Sequence, residues 1–236
     1  MKKIALLFAA ALFLAGCNRI KDERAFFDIM NQMDEGHLTS EQMRSREREL
    51  RAAIRENRRI LEERVTAARD LARFHQMLGR LYLDNGMYLL AAQEFENALQ
   101  ITNKNPVLFY FAGLAYARYA KSLVDETMQF AKLLLAERYY LKALEYNPNF
   151  SRALYAISVL YVFEFDQPDR AILYLERLLE TQRSDFEAMF LLANAYVRLG
   201  LLDKASAIYD NIIRNTMSTV FRRQAEENKR QLDAWR

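Results

Sequence analysis

The chain has little of what staples a protein covalently and little of what breaks a helix. Cysteine occurs once in 236 residues, at position 17. One thiol closes no intrachain disulfide, so stability must come from packing. Proline occurs three times and glycine six times, and no run of alternating apolar residues is present. That argues against a β fold. The two histidines, His37 and His75, stand far apart without ligand-like neighbours, which excludes a recognisable metal motif. No Gly-rich phosphate loop, G-x-S-x-G or H-E-x-x-H occurs. Asp and Glu are plentiful, but they alternate with Arg and Lys along helical faces and define no carboxylate pair. No catalytic residue and no cofactor is implied.

Excess charge is also missing. The formal net charge is +3, from 34 basic and 31 acidic residues. Lys2 and Lys3 sit in an N-terminal segment expected to be removed, so the mature chain is close to neutral. Nothing global favours nucleic acid or an anionic membrane surface as a partner. Long apolar runs are absent too. The stretch from Ile4 to Ala15 is too short for a spanning helix, which needs about 20 residues to cross about 30 Å of hydrocarbon.

What is present at the N-terminus has the layout of an export signal. Lys2 and Lys3 form a charged region, Ile4 to Phe13 an apolar region, and Leu14-Ala15-Gly16-Cys17 a small-residue cleavage site. These four residues resemble a bacterial lipobox. The resemblance implies that residues 1–16 are cleaved and that Cys17 is lipidated on sulfur, becoming the first mature residue. The acyl lipid on Cys17 would then be the only covalent addition. In enteric bacteria an Asp after that cysteine signals inner-membrane retention. Asn18 at that place points to the outer membrane, facing the periplasm.

Beyond the signal the chain reads as helix throughout. Apolar positions recur at three- and four-residue spacing. Asn85-Gly86, Asn105-Pro106, Asn147-Pro148, Gln167-Pro168 and Gly200 punctuate it into helices of roughly 12–16 residues from about residue 70. Short turns make neighbouring helices antiparallel. A motif recurs: Leu78-Gly79, Tyr82, Ala91, Phe95 and Ala98; Ala112-Gly113, Tyr116, Ala136, Tyr140, Ala143 and Pro148; Ile157-Ser158, Tyr161, Ala171 and Leu175; Leu192-Ala193, Tyr196, Ala205 and Tyr209. It is similar to the tetratricopeptide repeat (TPR), a 34-residue helix–turn–helix unit. The resemblance implies an all-α, right-handed superhelical TPR solenoid over residues 70–217, with about four repeats. Small residues at Gly79, Gly113, Ser158 and Ala193 would face Ala91, Ala136, Ala171 and Ala205 where paired helices meet. Each pair has an apolar face it cannot bury alone, so neighbours must stack.

Two repeats depart from the even spacing. Gly79 to Ala91 and Ala193 to Ala205 each span 12 residues, but Ser158 to Ala171 spans 13 and Gly113 to Ala136 spans 23. The third repeat therefore gains one residue, expected near Gln167-Pro168. The second gains 11, close to three helical turns. Ser122-Leu123-Val124-Asp125 resembles a capping box, which predicts a helix from Leu123 to Tyr146 with Ser122 as N-cap. The longer helix is either a simple overhang or an apolar spur built from Leu123, Val124, Met128 and Phe130.

The flanks differ from the repeats. Residues 17–69 form an N-terminal helical extension. It is expected as a short helix Glu23 to Met33, then a charged helix opened by Thr39, Ser40 and Glu41 and running toward Ala72. Pairs such as Glu47 with Arg51 would brace that helix. Its stripe of Leu50, Ile54, Leu61, Val65, Ala68 and Ala72 would pack on the first repeat or pair with another chain, which leaves homo-oligomerisation open. Residues 218–236 predict a polar C-terminal capping helix, started by Ser218 or Thr219 and anchored by Phe221, Ala225, Leu232 and Trp235.

In TPR proteins the first helix of each repeat lines the concave face, with ligand contacts at its second, fifth, ninth and thirteenth positions. Carried over by register, the second positions include Arg73 and Arg152. The fifth are Gln76, Tyr110, Tyr155 and Phe190; the ninth are Arg80, Leu114, Val159 and Asn194. The thirteenth add Arg118, Phe163 and Arg198. Aromatics edged by Arg are the residue types of binding hot spots, although Tyr110, Tyr155 and Phe190 would equally serve as core. The Lys and Asn carboxylate clamp of chaperone-binding relatives is not matched. The partner expected is an envelope protein or peptide, taken as an extended or helical segment with apolar anchors. The function implied is a non-catalytic, membrane-tethered scaffold, as in outer-membrane assembly or pilus and secretion biogenesis. The alternatives are an accessory component of a periplasmic transport or ligand-binding system, and a surface-exposed adhesin.

Overall fold

The computed structural model describes residues 39–234. Cys17, the expected helix Glu23 to Met33 and Trp235 lie outside the described residues. The chain divides into two compact units, Met1–Glu62 and Glu63–Arg236.

In the first unit, Thr39 starts helix α1 (Ser40–Asp84) with a capping box. Its backbone N–H and hydroxyl both donate to Gln42 Oε1 at 2.9 Å, while Gln42 N–H donates back to Thr39 Oγ1 at 3.4 Å. The expected pair of Glu47 with Arg51 is present at 2.7 Å, and Arg59 meets Glu56 at 2.7 Å. Such exposed pairs are each worth a few tenths of a kcal/mol. Of the apolar stripe, Leu50, Ile54 and Leu61 are exposed. Val65, in the second unit, is exposed as well, and of the stripe only Ala72 is buried.

The second unit takes in the later turns of α1 and the helices α2 (Tyr88–Ile101), α3 (Pro106–Lys121), α4 (Glu126–Tyr146), α5 (Ser151–Val159), α6 (Pro168–Thr181), α7 (Phe186–Arg198), α8 (Leu202–Asn215) and α9 (Thr219–Ala234). A π-helical turn, Leu160–Glu164, prolongs α5. The helices pair as α1 with α2, α3 with α4, α5 with α6 and α7 with α8, and α9 closes the end. This is a TPR solenoid.

Close approach within each pair depends on the small residues. A Cβ on Gly79 would lie 2.9 Å from the Phe95 ring, and one on Gly113 would lie 2.8 Å from the Tyr140 ring and 3.1 Å from the Ala136 carbonyl. Ala91, Ala136, Ala171 and Ala205 are fully buried opposite. Ser158 hides its hydroxyl by donating to Leu154 O at 2.8 Å. Around them Phe95, Leu108, Leu154, Ile157, Leu175, Leu178 and Ile212 are fully buried, each worth about 1.5–3 kcal/mol in transfer terms.

Tyrosine hydroxyls tie successive repeats together. Tyr116 donates to Glu96 at 2.7 Å, Tyr161 to Glu137 at 2.7 Å and Tyr196 to Glu176 at 3.0 Å. In each case the carboxylate belongs to the second helix of the preceding repeat. Burial, then the adjacent carboxylate, raises all three phenols, that of Tyr196 to about 12. They remain neutral donors at ordinary pH.

Turn chemistry explains the helix ends. Gly86 and Gly200 adopt φ of +76° and +71°. They let Met87 N–H reach Tyr82 O and Leu201 N–H reach Tyr196 O, each at 2.9 Å, which is the Schellman arrangement. Asn105 and Asp185 cap α3 and α7 through their side chains.

Two expectations about the irregular repeats need correction. Ser122 does not start the long helix. Its hydroxyl donates to Tyr119 O at 2.7 Å and ends α3, while Asp125 accepts from Met128 N–H at 2.7 Å and starts α4 at Glu126. An ionised Asp at the N-cap outcompetes Ser because it also meets the positive end of the helix. The extra residue of the third repeat is absorbed before Gln167-Pro168, in the π turn. There Phe165 N–H bonds to Leu160 O at 3.0 Å. Asp166, at φ 51°, then takes the place held by glycine in the first and fourth repeats.

The C-terminal helix forms over Thr219–Ala234. Phe221 N–H bonds to Ser218 Oγ at 3.4 Å, and α9 buries Ala225 and Leu232.

Candidate partner-binding groove

The first helices of the second and third repeats, with the start of the fourth, enclose a groove of about 540 Å³. Helix α3 contributes Tyr110, Leu114, Ala117, Arg118 and Lys121, and α5 with its π turn contributes Ser151, Arg152, Tyr155, Ala156, Val159, Leu160 and Glu164. Tyr140 of α4 forms part of the floor, and Gln182, Asp185 and Glu187 close the far side. The helical period of three and four residues puts Tyr110, Leu114, Ala117, Arg118 and Lys121 on one face of α3.

Tyr110 is half-buried and held by rings. Its centroid lies 5.2 Å from Phe111, 5.6 Å from Phe150 and 6.0 Å from Tyr140. Edge-on ring contacts of this kind fix the orientation of a side chain. Burial raises the Tyr110 phenol, and Arg152, Arg118 and Arg80 partly oppose that shift. Tyr155 is also half-buried; its phenol is raised by burial and by Glu187 and Asp185. Both hydroxyls therefore enter the groove as neutral groups able to donate.

The charges are arranged in two sets. Arg118 and Arg152 are exposed and make no ion pair among the described residues. Lys121 meets Glu164 at 2.6 Å at one end of the groove. Glu187 and the capping Asp185 supply negative charge on the α7 side. An occupant would meet aromatic and aliphatic side chains, the Arg118 and Arg152 guanidinium groups, and the Asp185 and Glu187 carboxylates.

Six of the thirteen register positions thus come together: Tyr110, Leu114, Arg118, Arg152, Tyr155 and Val159. A second cluster joins three more. The Arg198 guanidinium lies 5.5 Å over the exposed Phe163 ring, donates through Nε to Asn194 Oδ1 at 3.2 Å and pairs with Asp166 at 2.9 Å. Arg80 lies over the Phe111 ring at 4.8 Å, and Arg73 pairs with Asp70 at 3.1 Å. Gln76 is half-buried and outside the groove. Phe190 packs against Tyr209 and Phe221, with centroids 6.2 and 6.0 Å away.

Register missed Ala117, Lys121, Tyr140, Ser151, Ala156, Leu160, Glu164, Gln182, Asp185 and Glu187. Asp185 and Glu187 had a signal, an acidic start to a helix. His75 is half-buried and bonded through Nδ1 to Glu94 at 2.6 Å, a packed histidine. Among the described residues no cluster of three His, Cys, Asp or Glu could hold a metal. No helix among them is long and apolar enough to cross a membrane.

Comparison with known proteins agrees with the fold. Tetratricopeptide-repeat family profiles match residues 72–105 and 162–217. A TPR repeat-containing protein of Borreliella burgdorferi (strain ATCC 35210 / DSM 4680 / CIP 102532 / B31) is 30% identical over 158 residues, covering 66% of this chain and 67% of that protein. The chain belongs to the tetratricopeptide-repeat family. A thermophilic TPR protein of Thermus thermophilus superposes with a TM-score of 0.55 at 19% identity, over 65% of this chain and 78% of that one. YrrB, described as a TPR protein with an unusual peptide-binding site, superposes with a TM-score of 0.54 at 20% identity, over 68% of this chain and 75% of that one.

Proposed function

We propose that this protein is a lipid-tethered, non-catalytic scaffold of the bacterial cell envelope that holds a segment of a protein partner in the groove between α3, α5 and α7. The observation that carries this reading is the groove itself. Tyr110, held by neighbouring rings, and Tyr155 are half-buried aromatics of the groove, and Arg118 and Arg152, which also line it, make no ion pair among the described residues. A partner segment with apolar anchors and a carboxylate would supply both missing contacts, and charge-assisted bonds of that kind are worth about 1.5–3 kcal/mol each. The lipobox-like Leu14-Ala15-Gly16-Cys17 supports the tether, because two or three acyl chains anchor stably where one is marginal. Asn18 supports an outer-membrane position facing the periplasm.

The groove is tested by replacing Tyr110 and Tyr155 together with Ala. Crosslinked capture of the partner from envelope membranes should fall about tenfold or more while far-ultraviolet circular dichroism stays unchanged. Unchanged capture by a folded variant would sink the groove reading. The tether is tested with Cys17→Ala, which should abolish lipid labelling and remove the protein from the membrane fraction; labelling that persists ends the lipobox reading.

A second reading rests on the groove volume. About 540 Å³ lies within the roughly 300–1,000 Å³ of small-molecule sites. An accessory role in a periplasmic transport or ligand-binding system would use the same Tyr110 and Tyr155 on a small apolar ligand.

A further inference from the structure

The N-terminal end of the repeat stack presents apolar side chains that do not line the groove. On α1, Phe74, Met77, Leu78 and Leu81 are 66, 67, 36 and 58% exposed. The matching residues of α3 are Leu108, Phe111, Ala112 and Ala115, exposed by 1, 6, 0 and 0%. Those of α7 are Ala188, Leu191, Leu192 and Ala195, none above 5%. What covers α3 and α7 at these positions is the second helix of the preceding repeat, α2 or α6. Within the second unit α1 has no such helix before it.

A polar group is left over at the same place. Tyr116, Tyr161 and Tyr196 each donate to a glutamate on the preceding second helix. Tyr82 holds the equivalent position in the first repeat, is half-buried, and makes no hydrogen bond among the described residues. Among the described residues the face thus has neither an apolar cover nor a carboxylate for Tyr82. Ala67, Leu71, Phe74, Leu78 and Leu81 follow a four–three spacing, the pattern of a helix-pairing seam.

We propose that this open end docks an amphipathic α-helix of a partner protein, which sits as the second helix of a missing preceding repeat and brings a carboxylate to Tyr82. Leu78 and Leu81 stand where α3 has Ala112 and Ala115, so the incoming helix carries small residues opposite them. A second copy of the chain fits less well. Laid antiparallel on the same seam, it would set Asp70 against Asp84 and offer Tyr82 no acid.

The test uses the full chain and two fluorescent peptides with the sequences of α2 and α6, whose Glu96 and Glu176 already serve Tyr116 and Tyr196. Fluorescence anisotropy should show saturable binding of at least one peptide. Phe74→Glu and Leu81→Glu, at exposed positions and checked for helicity, should each weaken it tenfold or more. Tyr82→Phe should weaken it about tenfold, as should Glu→Gln in the peptide, and the two together should cost little more than either alone. The proposal is overturned if neither peptide binds, or if binding ignores Phe74→Glu or Tyr82→Phe. Binding only after removal of residues 18–38 overturns it in favour of the chain's own N-terminal segment. A dimer of the free chain that Phe74→Glu dissolves, read by sedimentation velocity, overturns it in favour of a second copy.

Discussion

Gly113→Ala adds one methyl group where α3 meets α4. Two opposed effects follow. Ala gains about 1 kcal/mol over Gly in a helix interior. Against that, the new Cβ would stand 2.8 Å from the Tyr140 ring and 3.1 Å from the Ala136 carbonyl oxygen. The ring is fully buried, with Tyr110 6.0 Å beyond it, and the carbonyl belongs to the α4 backbone. Neither can swing away as the tip of a flexible side chain would, so overpacking costs about 1–3 kcal/mol. At the middle of that range the net loss is about 1 kcal/mol, or a melting temperature lower by about 2–4 °C. Urea unfolding followed by far-ultraviolet circular dichroism should show a lower midpoint at unchanged slope. Partner binding should weaken in parallel, because Tyr140 forms part of the groove floor. Gly86→Ala is the control. It meets no atom within 4 Å but sits at φ +76°, so it loses about 1–2 kcal/mol of backbone energy and leaves the groove intact. A Gly113→Ala protein as stable as the unmodified one would refute the reasoning, since the helix pair would then separate at no cost.

Asp125→Ala should cost about 1 kcal/mol by removing the N-cap of α4, whereas Ser122→Ala should cost less than about 0.5 kcal/mol; the opposite order in urea midpoints would restore Ser122 as the helix start. Stability should fall in alkali. Folding raises the Tyr196 phenol to about 12 and the Tyr116 and Tyr161 phenols higher still, above the roughly 10 of an unfolded tyrosine. Their contribution is therefore full below pH 10 and is lost as pH climbs from 10 towards 12. Urea midpoints that stay level from about pH 8 to about pH 11 would contradict this, and Tyr196→Phe should flatten part of the fall.

The repeat architecture was legible because each landmark has a single physical use. A residue without a side chain, or with one carbon, is needed where two helices touch, and a large ring is needed beside it. Gly113 with Tyr140 and Gly79 with Phe95 show this directly. The boundaries of α4 were less legible because Ser122 and Asp125 both make reasonable caps three residues apart, and only the competition between them decides. The count of 13 residues from Ser158 to Ala171 revealed an insertion but not its place, since turn and helix can both take up one residue. Half of the groove was readable from register on α3 and α5. The far side was not, because Gln182 and Asp185 reach it from the connection between α6 and α7 and Glu187 from the first turn of α7. The tyrosine–glutamate ties had a signal in sequence: Glu96 precedes Tyr116, and Glu176 precedes Tyr196, by the same 20 residues.

One extra residue in a regular helix would rotate everything after it by about 100°. The π turn at Leu160–Glu164 confines that rotation to a single turn, and Ala171 beyond it is as buried as Ala91, Ala136 and Ala205. Within the turn the shift is put to use: Glu164 meets Lys121 at the groove's end, and Asp166 meets Arg198. A single-codon insertion here rewrites the chemistry at the rim of the groove while leaving the stack beneath in step.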